Sequence, residues 1–359
     1  MKSRRTAVLG DTSIRGMDRG RKEAVNGVWI LYAEFFILTT GYIINLLHAF
    51  PHADSSVPPI TLIVNPHSAK GRTARVADSV VRHCIEVGLD VTRIDTAGIG
   101  HAIDIARELN GTESVIAGLG GDGTIHEIVN GTYGGRATLA LIPSGTGNDF
   151  ARMIGVKNPR HGVEALAAGI ESTIDLARAH IQTARGTEEQ RLFVNALGIG
   201  FDAAVGYRAS RMKFGSGILP YLLGVFATLR TFTPANARIL IGDYLIESTL
   251  LLACIGNGRT SGGGFRLTPH ALVDDGMLDL CLVRGTPVRR ILQVLPSALT
   301  GRHLSAPEVR YERVRNVEVM LDRPVPVHLD GELVAEDAVR VSVQVLPAAA
   351  QFIVGNGER

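Results

Sequence analysis

The stretch SVIAGLGGDGTIHEIVNG, residues 114–131, is the most informative part of this 359-residue chain. A short β-prone run enters a loop of four glycines, and an apolar helical face follows at once. This order aims backbone N–H groups and the positive end of a helix at an anion. Asp122 lies among the glycines, and a carboxylate that shares a loop with a phosphate needs a cation between them, usually Mg²⁺. We therefore interpret the loop as a magnesium–nucleotide phosphate site, although Gly118, Gly120 and Gly123 also satisfy the dinucleotide pattern G-x-G-x-x-G.

Three further polar loops follow β-prone runs in the first half of the chain. They span residues 65–72, 96–100 and 144–149, and helical periodicity separates the runs. Strands that alternate with helices predict a doubly wound parallel α/β sheet, whose ligands bind at the carboxyl ends of the strands. All four polar loops lie at such ends, so we expect them to converge on one ligand. The sequence has no G-x-x-x-x-G-K-[ST] motif, which excludes a P-loop enzyme.

The pattern changes from about residue 172. Strand-like runs then recur with few helices between them, which predicts a mostly antiparallel β domain, a sandwich. We therefore divide the chain into an N-terminal segment and linker at 1–57, a nucleotide-binding domain at 58–172 and a β-sandwich domain at 173–350. A helical stretch near 220–230 is apolar almost all round, so it is either core, which we favour, or the lip of a lipid pocket.

Composition narrows the class of protein. A net charge of +2, with no basic stripe interleaved with aromatic side chains, predicts no nucleic-acid partner. The three cysteines, Cys84, Cys254 and Cys281, are far apart and lie in apolar surroundings. Without a C-x-x-C pair they form no zinc or redox motif, and we expect all three in the core of a protein from a reducing compartment.

The segment 1–57 combines basic side chains with a long apolar run. Residues 27–50 are long enough to span a bilayer as a helix, but Glu34, Asn45 and His48 interrupt the run. The basic residues before it would hold the N-terminus in the cytoplasm and place the remaining chain outside, away from ATP. We therefore favour an interfacial or loosely packed helix, and a start site further downstream is an alternative. The expected location is the cytoplasm, at the inner face of the plasma membrane.

The GGDGT loop resembles the signature shared by diacylglycerol kinases, sphingosine kinases and NAD kinases. Together with Asn65-Pro66-x-Ser68 and PSGTGNDFAR at 143–152, it resembles the lipid-kinase branch of bacterial diacylglycerol kinases, which is similar to sphingosine kinases. The family usually has glycine where this chain has Ala69. The resemblance covers roughly residues 60–346 and implies an N-terminal domain of the NAD kinase/diacylglycerol kinase type. It also implies that ATP is contacted by Thr96, Gly120, Gly121, Asp122, Gly123, Thr124, Ile125, His126 and Thr146. We add Asn65, Ser68, Lys70 and Asn148 from the neighbouring loops to the predicted nucleotide site, and the charge of Lys70 suits a phosphate.

A second long match to this family lies in the β domain, at residues 269–278. By residue type alone this stretch contains an ordinary β-turn, DDG, between two strands. The resemblance implies a structural Mg²⁺ here, held by the main-chain carbonyls of Leu272 and Met277 and by the Asp275 carboxylate. One carboxylate and two carbonyls suit an ion that keeps several waters.

The last motif is HLDGE, residues 328–332. By spacing alone it is a turn with two exposed acids, whereas the resemblance implies that the fold brings it back beside the nucleotide. Phosphoryl transfer to an alcohol needs a group that takes the hydroxyl proton, and a carboxylate suffices. We assign Glu332 as this base because its side chain has the reach. Asp330 would orient it or share the field of the metal, since alternate residues of an extended strand point the same way. Asp122 would help to hold the nucleotide's Mg²⁺, directly or through water.

These features predict an ATP- and Mg²⁺-dependent kinase that phosphorylates a lipid hydroxyl, most simply that of diacylglycerol, to give phosphatidic acid. A sphingoid-base kinase or another lipid-alcohol kinase is the first alternative. NAD kinase and a catalytically silent lipid- or nucleotide-binding module are more distant ones. The expected partner is a lipid at the membrane surface, reached by peripheral association, and a homodimer is left open. The acyl chains of the lipid are beyond sequence analysis, because an apolar pocket holds many chains similarly.

Overall fold

The computed structural model describes residues 59–111, 114–211 and 219–356. The predictions for the segment 1–57, including the apolar run 27–50, lie outside these residues. Within the described ranges, no helix is both long enough and apolar enough to cross a bilayer.

The first half of the described chain forms a parallel sheet with helical connections, as the sequence predicts. The strands are β1 (Ile60–Val64), β2 (Val91–Asp95), β3 (Val115–Gly120) and β4 (Thr138–Pro143). The helices are α1 (Ser68–Glu86), α2 (His101–Leu109), α3 (Asp122–Thr132), α4 (Asp149–Met153) and α5 (Pro159–Ala168). The strand order is β4-β3-β1-β2, and every neighbouring pair is parallel. β1 and β3 are buried along their whole length, so the centre of the sheet is covered on both faces.

The second half is mostly antiparallel β-structure, also as predicted. Its strands are β5 (Glu171–Thr183), β6 (Glu188–Phe193), β7 (Ala196–Gly200), β8 (Ala235–Ile241), β9 (Tyr244–Gly256), β10 (Leu278–Arg284), β11 (Val309–Val314), β12 (Asn316–Leu329) and β13 (Glu332–Ile353). Its helices are α6 (Phe201–Ser210), α7 (Leu219–Leu229) and α8 (Val288–Ala298), followed by a short 3₁₀ helix, Arg302–Ser305. Alternate residues of β8 are buried, and they belong to a hydrophobic core that is separate from the core of the parallel sheet.

The last strand joins the two halves of the molecule. β13 pairs with β5 and β12 along the β domain, and its final residues Gln351 and Phe352 pair in parallel with β4. Phe352 packs edge-on against Phe150, with ring centroids 5.1 Å apart. One continuous sheet therefore passes from the parallel half into the antiparallel half.

The three cysteines are buried and free, which confirms their predicted place in the core. Burial raises the pKa of the Cys84 and Cys254 thiols above its usual value. Burial, and then the charge of Asp202, raise the pKa of Cys281 to about 12. The thiols therefore stay protonated and act as small apolar groups.

A left-handed turn interrupts α1 near its start. Ala69 and Lys70 have φ angles of +50° and +57°, and Gly71 follows with +81°. A residue with a Cβ atom loses about 1–2 kcal/mol in this conformation. Alanine at the position where the family usually has glycine therefore strains the loop that carries Lys70.

We expect Ala69→Gly to raise the free energy of unfolding by about 0.5–1 kcal/mol, because glycine removes the strain but adds disorder to the unfolded chain. Gly71→Ala is the matched control and should lower it by about 1 kcal/mol. No atom lies within 4 Å of the added Cβ, so the backbone angle alone is unfavourable there. Urea unfolding of the two variants measures both changes. If the free energy of unfolding changes in the same direction in both variants, Ala69 is not strained.

Candidate active site

Hydrogen bonds hold three of the predicted loops together at the carboxyl ends of β1, β3 and β4. The backbone N–H of Asn65 donates to the carbonyl of Leu119 over 3.0 Å. The side-chain amide of Asn65 donates to Thr124 Oγ1 over 3.3 Å. The N–H of Ser144 donates to the carbonyl of Gly120 over 2.7 Å. The GGDGT loop therefore lies in the middle of the three.

The fourth loop, after β2, lies beside them. The N–H of Thr96 donates to the carbonyl of Val64 over 2.8 Å. The Glu127 carboxylate of α3 accepts the N–H groups of Gly100 and Ala102, over 2.9 and 3.1 Å. All four loops thus meet at one edge of the sheet, which is the convergence that the strand order predicts.

Gly121 and Gly145 allow two of these loops to touch backbone to backbone. A Cβ atom on Gly145 would lie 2.5 Å from the Cα of Gly121, closer than any side chain allows. Backbone groups rather than side chains therefore form this part of the edge, as in other phosphate-binding loops.

The residues predicted to contact ATP differ in exposure. Those that are half-buried or exposed are Asn65, Ser68, Lys70, Gly121, Asp122, Gly123, Thr146 and Asn148. Those that are buried are Thr96, Gly120, Thr124, Ile125 and His126. The side chains of Ile125 and His126 face the interior, so a nucleotide can meet these two residues only through their backbone atoms.

The Asp122 carboxylate caps the N-terminus of α4, the short helix that follows the 144–149 loop. It accepts the N–H groups of Asp149 and Phe150 over 3.2 and 3.1 Å. These N–H groups would otherwise lack partners at the start of the helix. Asp122 therefore has a structural role that the sequence pattern did not indicate.

Two carboxylates meet beside this helix start. A Cβ atom on Gly147 would lie 3.0 Å from Asp122 Oδ2 and 3.6 Å from Asp149 Oδ2. Burial, and then the charge of Asp149, raise the pKa of Asp122 to about 7. Two neighbouring acids suit a cation, although the Asp149 carboxylate already contacts Arg152 and accepts the N–H of Gly263 over 2.8 Å. Among the described residues, no cluster of three or more His, Cys, Asp or Glu side chains is placed to hold a metal, so Mg²⁺ here would take further ligands from phosphate and water.

Asp330 connects the two halves of the molecule. Its carboxylate accepts three backbone N–H groups, from Val194, Asn195 and Ala196, over 2.8–3.0 Å. It also lies 2.9 Å from Nδ1 of His126, in α3. Burial lowers the pKa of His126, but the hydrogen bond to Asp330 and the charge of Asp330 outweigh burial and raise it. His126 is therefore positioned by the fold.

The prediction that Asp330 and Glu332 point the same way along an extended strand is wrong. Asp330 and Gly331 form a two-residue turn between β12 and β13, with φ angles of +50° and +90°. Leu329 pairs with Glu332 across this turn. Asp-Gly favours such a hairpin because both of its residues tolerate positive φ. The turn directs the Asp330 carboxylate to its four donors in the interior.

Glu332 lies against the GGDGT loop. A Cβ atom on Gly123 would be 2.2 Å from Glu332 Oε1, so the glycine leaves the space that the carboxylate occupies. Burial raises the pKa of Glu332, and the positive charge of nearby His126 opposes this shift. The acidic motif near the end of the chain therefore returns to the phosphate loop, as the resemblance implies.

A second buried histidine–aspartate pair lies at the same hairpin. Nε2 of His328 is 2.9 Å from Asp202 Oδ2, and the two side chains are 7% and 2% exposed. Neither residue was among the predicted site residues. His328 stands in the HLDGE motif, which is a signal for the site, but no local pattern marks Asp202 in the first turn of α6.

The turn at residues 272–277 is tied to the protein by side chains. The Asp275 carboxylate contacts Arg313 of β11 and accepts the N–H of Met277 over 3.0 Å. The buried Asp175 carboxylate accepts the N–H of Gly276 over 2.6 Å. Because Asp275 already pairs with one cation, a Mg²⁺ ion at this turn would share the carboxylate with Arg313.

The helix near 220–230, which we expected in the core, is core on one face only. Val225 of α7 is 1% exposed, whereas Leu223 and Phe226 are 37% and 55% exposed. α7 and α8 pack in one apolar cluster, and α8 also exposes Val288 and Leu292. Each of the two helices therefore exposes apolar side chains beside a buried apolar cluster.

An apolar cavity of about 70 Å³ lies beside α8. Its walls include Phe201 from α6, Leu251 from β9, Val283 from β10 and Ile291 from α8. Most of the side chains that line the cavity are apolar.

Comparison with known proteins gives two family matches along the chain. The diacylglycerol kinase catalytic domain matches residues 59–179, and the YegS C-terminal NAD kinase beta sandwich-like domain matches residues 195–354. In a solved structure of a diacylglycerol kinase from Bacillus anthracis strain Sterne, the same fold covers 83% of this chain and 97% of that chain, with a TM-score of 0.63 at 22% identity. The comparison thus supports an α/β domain followed by a β-rich domain.

Curated relatives are similar over most of their length. A diacylglycerol kinase of Mycobacterium tuberculosis strain H37Rv is 31% identical over 300 residues, which are 82% of this chain and 94% of the relative. A Klebsiella pneumoniae protein named “Probable lipid kinase YegS-like” is 31% identical over 306 residues, 82% of this chain and 95% of the relative. Membership of such a kinase family implies ATP as the phosphate donor. These matches confirm the predicted resemblance: the chain belongs to the diacylglycerol kinase-like lipid kinase family and is a lipid kinase, a phosphotransferase.

Proposed function

We propose that this protein is an ATP- and Mg²⁺-dependent kinase that phosphorylates a lipid hydroxyl, with diacylglycerol as the first candidate and phosphatidic acid as its product. The observation that carries the proposal is the close approach of the Glu332 carboxylate to Gly123 in the GGDGT loop. An acid at a phosphate loop is placed to take the proton of an alcohol beside the transferred phosphoryl group. The names of the relatives support a lipid acceptor.

In this mechanism the loops hold the nucleotide and Glu332 accepts a proton. Backbone N–H groups at the carboxyl ends of the parallel strands bind phosphate oxygens, and the start of α3 adds the positive end of a helix dipole. The lipid oxygen attacks the γ-phosphorus, and its proton passes to Glu332 while the bond to the ADP oxygen breaks. Asp122, with Asp149 beside it, would hold Mg²⁺ directly or through water. The ion would supply charge neutralisation on the phosphates.

The lipid would reach the site from a membrane surface. The exposed apolar side chains of α7 and α8, such as Phe226 and Val288, can enter the headgroup region. Arg289 is exposed on α8 and can meet anionic lipids. We therefore infer peripheral association with the inner face of the plasma membrane, in the cytoplasm, where ATP is available. The homodimer and the lack of a nucleic-acid partner stay predictions.

A panel of acceptors tests the proposed function. The purified protein is incubated with labelled ATP and Mg²⁺ in mixed micelles that contain diacylglycerol, sphingosine or a single-chain lipid alcohol, and separately with NAD⁺. Label in phosphatidic acid is the expected result. Label only in a sphingoid or single-chain phosphate would transfer the assignment to the first alternative, and label only in NADP⁺ would overturn a lipid acceptor.

Asp122→Asn should lower turnover by about 100-fold or more, because it removes a charge that holds the cation beside the phosphates. Stability should fall by only about 1 kcal/mol, since asparagine keeps one oxygen for the N–H groups at the start of α4. Initial rates at saturating ATP and urea unfolding measure the two effects. Asp104→Asn, an exposed acid of α2 paired with Arg107, is the matched control and should leave turnover unchanged. Near-normal turnover of the Asp122 variant would remove this residue from the cation site.

Asp275→Ala should lower the melting temperature by a few degrees and abolish any rise on addition of Mg²⁺, if the 272–277 turn holds a structural ion. Arg313→Gln frees the same carboxylate from its guanidinium partner and should enlarge the rise. Thermal unfolding with Mg²⁺ or EDTA, without nucleotide, measures both variants. If Mg²⁺ changes the melting temperature of neither the unmodified protein nor the Arg313 variant, the metal site at this turn is contradicted.

A further inference from the structure

His328 is held in one orientation by two hydrogen bonds. The N–H of Gly331 donates to its Nδ1 over 3.3 Å. Its Nε2 lies 2.9 Å from Asp202 Oδ2. Because Nδ1 accepts, the proton of the neutral ring is on Nε2 and points at Asp202. The imidazole therefore bridges the start of α6 and the Asp330-Gly331 turn.

The fold reserves space for this bridge. His328 pairs with Gly198 across β12 and β7. A Cβ atom on Gly198 would lie 2.3 Å from His328 Nε2 and 2.5 Å from Asp202 Oδ2. Any residue with a Cβ atom at position 198 would push the His328 ring and the Asp202 carboxylate apart. The contact between these two side chains therefore explains the glycine in the middle of β7.

The bridge ends one residue before Glu332. Asp330, the first residue of the turn, is fixed by backbone N–H groups and His126, as described above. Gly331, the second residue, has its N–H fixed by His328. The next residue is Glu332, whose carboxylate lies on Gly123. One histidine–aspartate pair thus fixes the first residue of the turn, Asp330, and the other fixes the second residue, Gly331.

The other end of the bridge lies next to the apolar region. Asp202 follows Phe201, which lines the cavity beside α8. α6 packs against α7, which exposes the apolar side chains of Leu223 and Phe226. A change in the packing of α6 would therefore act on Asp202 first and reach Glu332 through His328 and Gly331.

We propose that His328 and Asp202 are positioning residues that set the place of the Glu332 carboxylate and connect it to α6 and the apolar cluster in which α6 and α7 pack. This inference rests on the role of Glu332 under the proposed function. Loss of the bridge leaves the four phosphate loops intact, so it should lower kcat while the KM for ATP is kept. A pair that serves only to fill the interior would instead lower stability without this separation.

Two substitutions of His328 distinguish its two bonds. Asparagine places an acceptor near the position of Nδ1 and keeps the bond from Gly331, but it loses the reach to Asp202. Glutamine reaches toward Asp202 and loses the acceptor for Gly331. We expect His328→Gln, which frees the Gly331 N–H beside Glu332, to lower kcat about tenfold with the KM for ATP within about twofold. His328→Asn and Asp202→Ala lose only the bond between His328 and Asp202, and we expect each to lower kcat by about threefold. Equal losses in the two variants would overturn the positioning role.

A double-mutant cycle with Glu332→Gln completes the test. If His328 acts through Glu332, the variant with both substitutions should turn over as slowly as Glu332→Gln alone, measured with labelled ATP. Independent, multiplying losses would overturn the inference. Asp202→Ala enters the same cycle as a second variant, with the same expected result, should His328→Gln not fold. His180→Gln breaks an exposed His–Glu pair of β5 and β6 and should leave every rate unchanged.

The cycle separates this inference from the proposed function. Full turnover of Glu332→Gln would remove Glu332 as the base and with it the basis of the bridge. Collapse of Glu332→Gln together with unchanged kcat in His328→Gln and Asp202→Ala would leave the base in place and overturn only the positioning role.

Discussion

Glu332→Gln should lower turnover by about 10²–10⁴-fold while the affinity for ATP stays within about twofold. Glutamine keeps the size of the side chain and can still form hydrogen bonds, but it cannot take the hydroxyl proton. The Glu332 carboxylate contacts the nucleotide loops at Gly123. Its replacement by an amide therefore leaves the hydrogen bonds between those loops in place.

Rates at saturating ATP and lipid, with ATP binding measured by calorimetry, test this expectation. Glu336→Gln is the matched control, because Glu336 lies on the same strand and is exposed. It should turn over at the unmodified rate. A Glu332 variant that keeps most of its turnover, in conditions where the chemical step limits the rate, would overturn the assignment of the base.

Asp330→Asn should lower the free energy of unfolding by about 3–5 kcal/mol. The carboxylate accepts three backbone N–H groups and faces Nδ1 of His126, and an amide has one oxygen where the acid has two. At least one buried donor would then face the amide N–H₂ group without a partner. Since His126 belongs to α3 and the backbone donors belong to the β domain, the loss weakens the contact between the two halves of the molecule.

Urea unfolding measures this change, and the slope of the transition shows whether the two halves still unfold together. Asp337→Asn is the control, because Asp337 lies further along the chain in β13 and pairs with the exposed Arg185 over 3.1 Å. An exposed pair of this kind contributes about 0–1 kcal/mol. A shift of that small size at Asp330 as well would show that its four hydrogen bonds add little net stability.

The sequence alone predicts the parts of the site that are local in the chain. In GGDGT the strand, the glycines and the helix follow one another directly, so residue type and periodicity suffice to indicate a phosphate loop. The alternation of strands and helices predicts the parallel sheet. Because ligands bind at the carboxyl ends of parallel strands, the four loops at those ends are expected to lie together. The resemblance adds the late acidic motif, whose place against Gly123 no local pattern indicates.

The partners of the acids were decided only by the tertiary structure. Asp122 accepts N–H groups of α4, Asp330 accepts from the chain before and within β7, and His328 meets Asp202. Each contact joins stretches far apart in sequence, and it depends on the register of strand pairs such as β7 with β12. Hydrophobic periodicity shows which face of a strand is buried, but not which residue lies opposite.

The hairpin at Asp330-Gly331 shows the physical reason most clearly. By spacing the HLDGE motif is a turn with two exposed acids, whereas the placing of Asp330 and Glu332 on one face assumed an extended strand. The positive φ angles of Asp330 and Gly331 instead place them in a tight turn, and Asp330 goes into the interior. The kind of site can be predicted from the sequence, because the residues of a phosphate loop are neighbours in the chain. The geometry of its acids was decided by the tertiary structure, because buried carboxylates take whichever donors the folded strands bring to them.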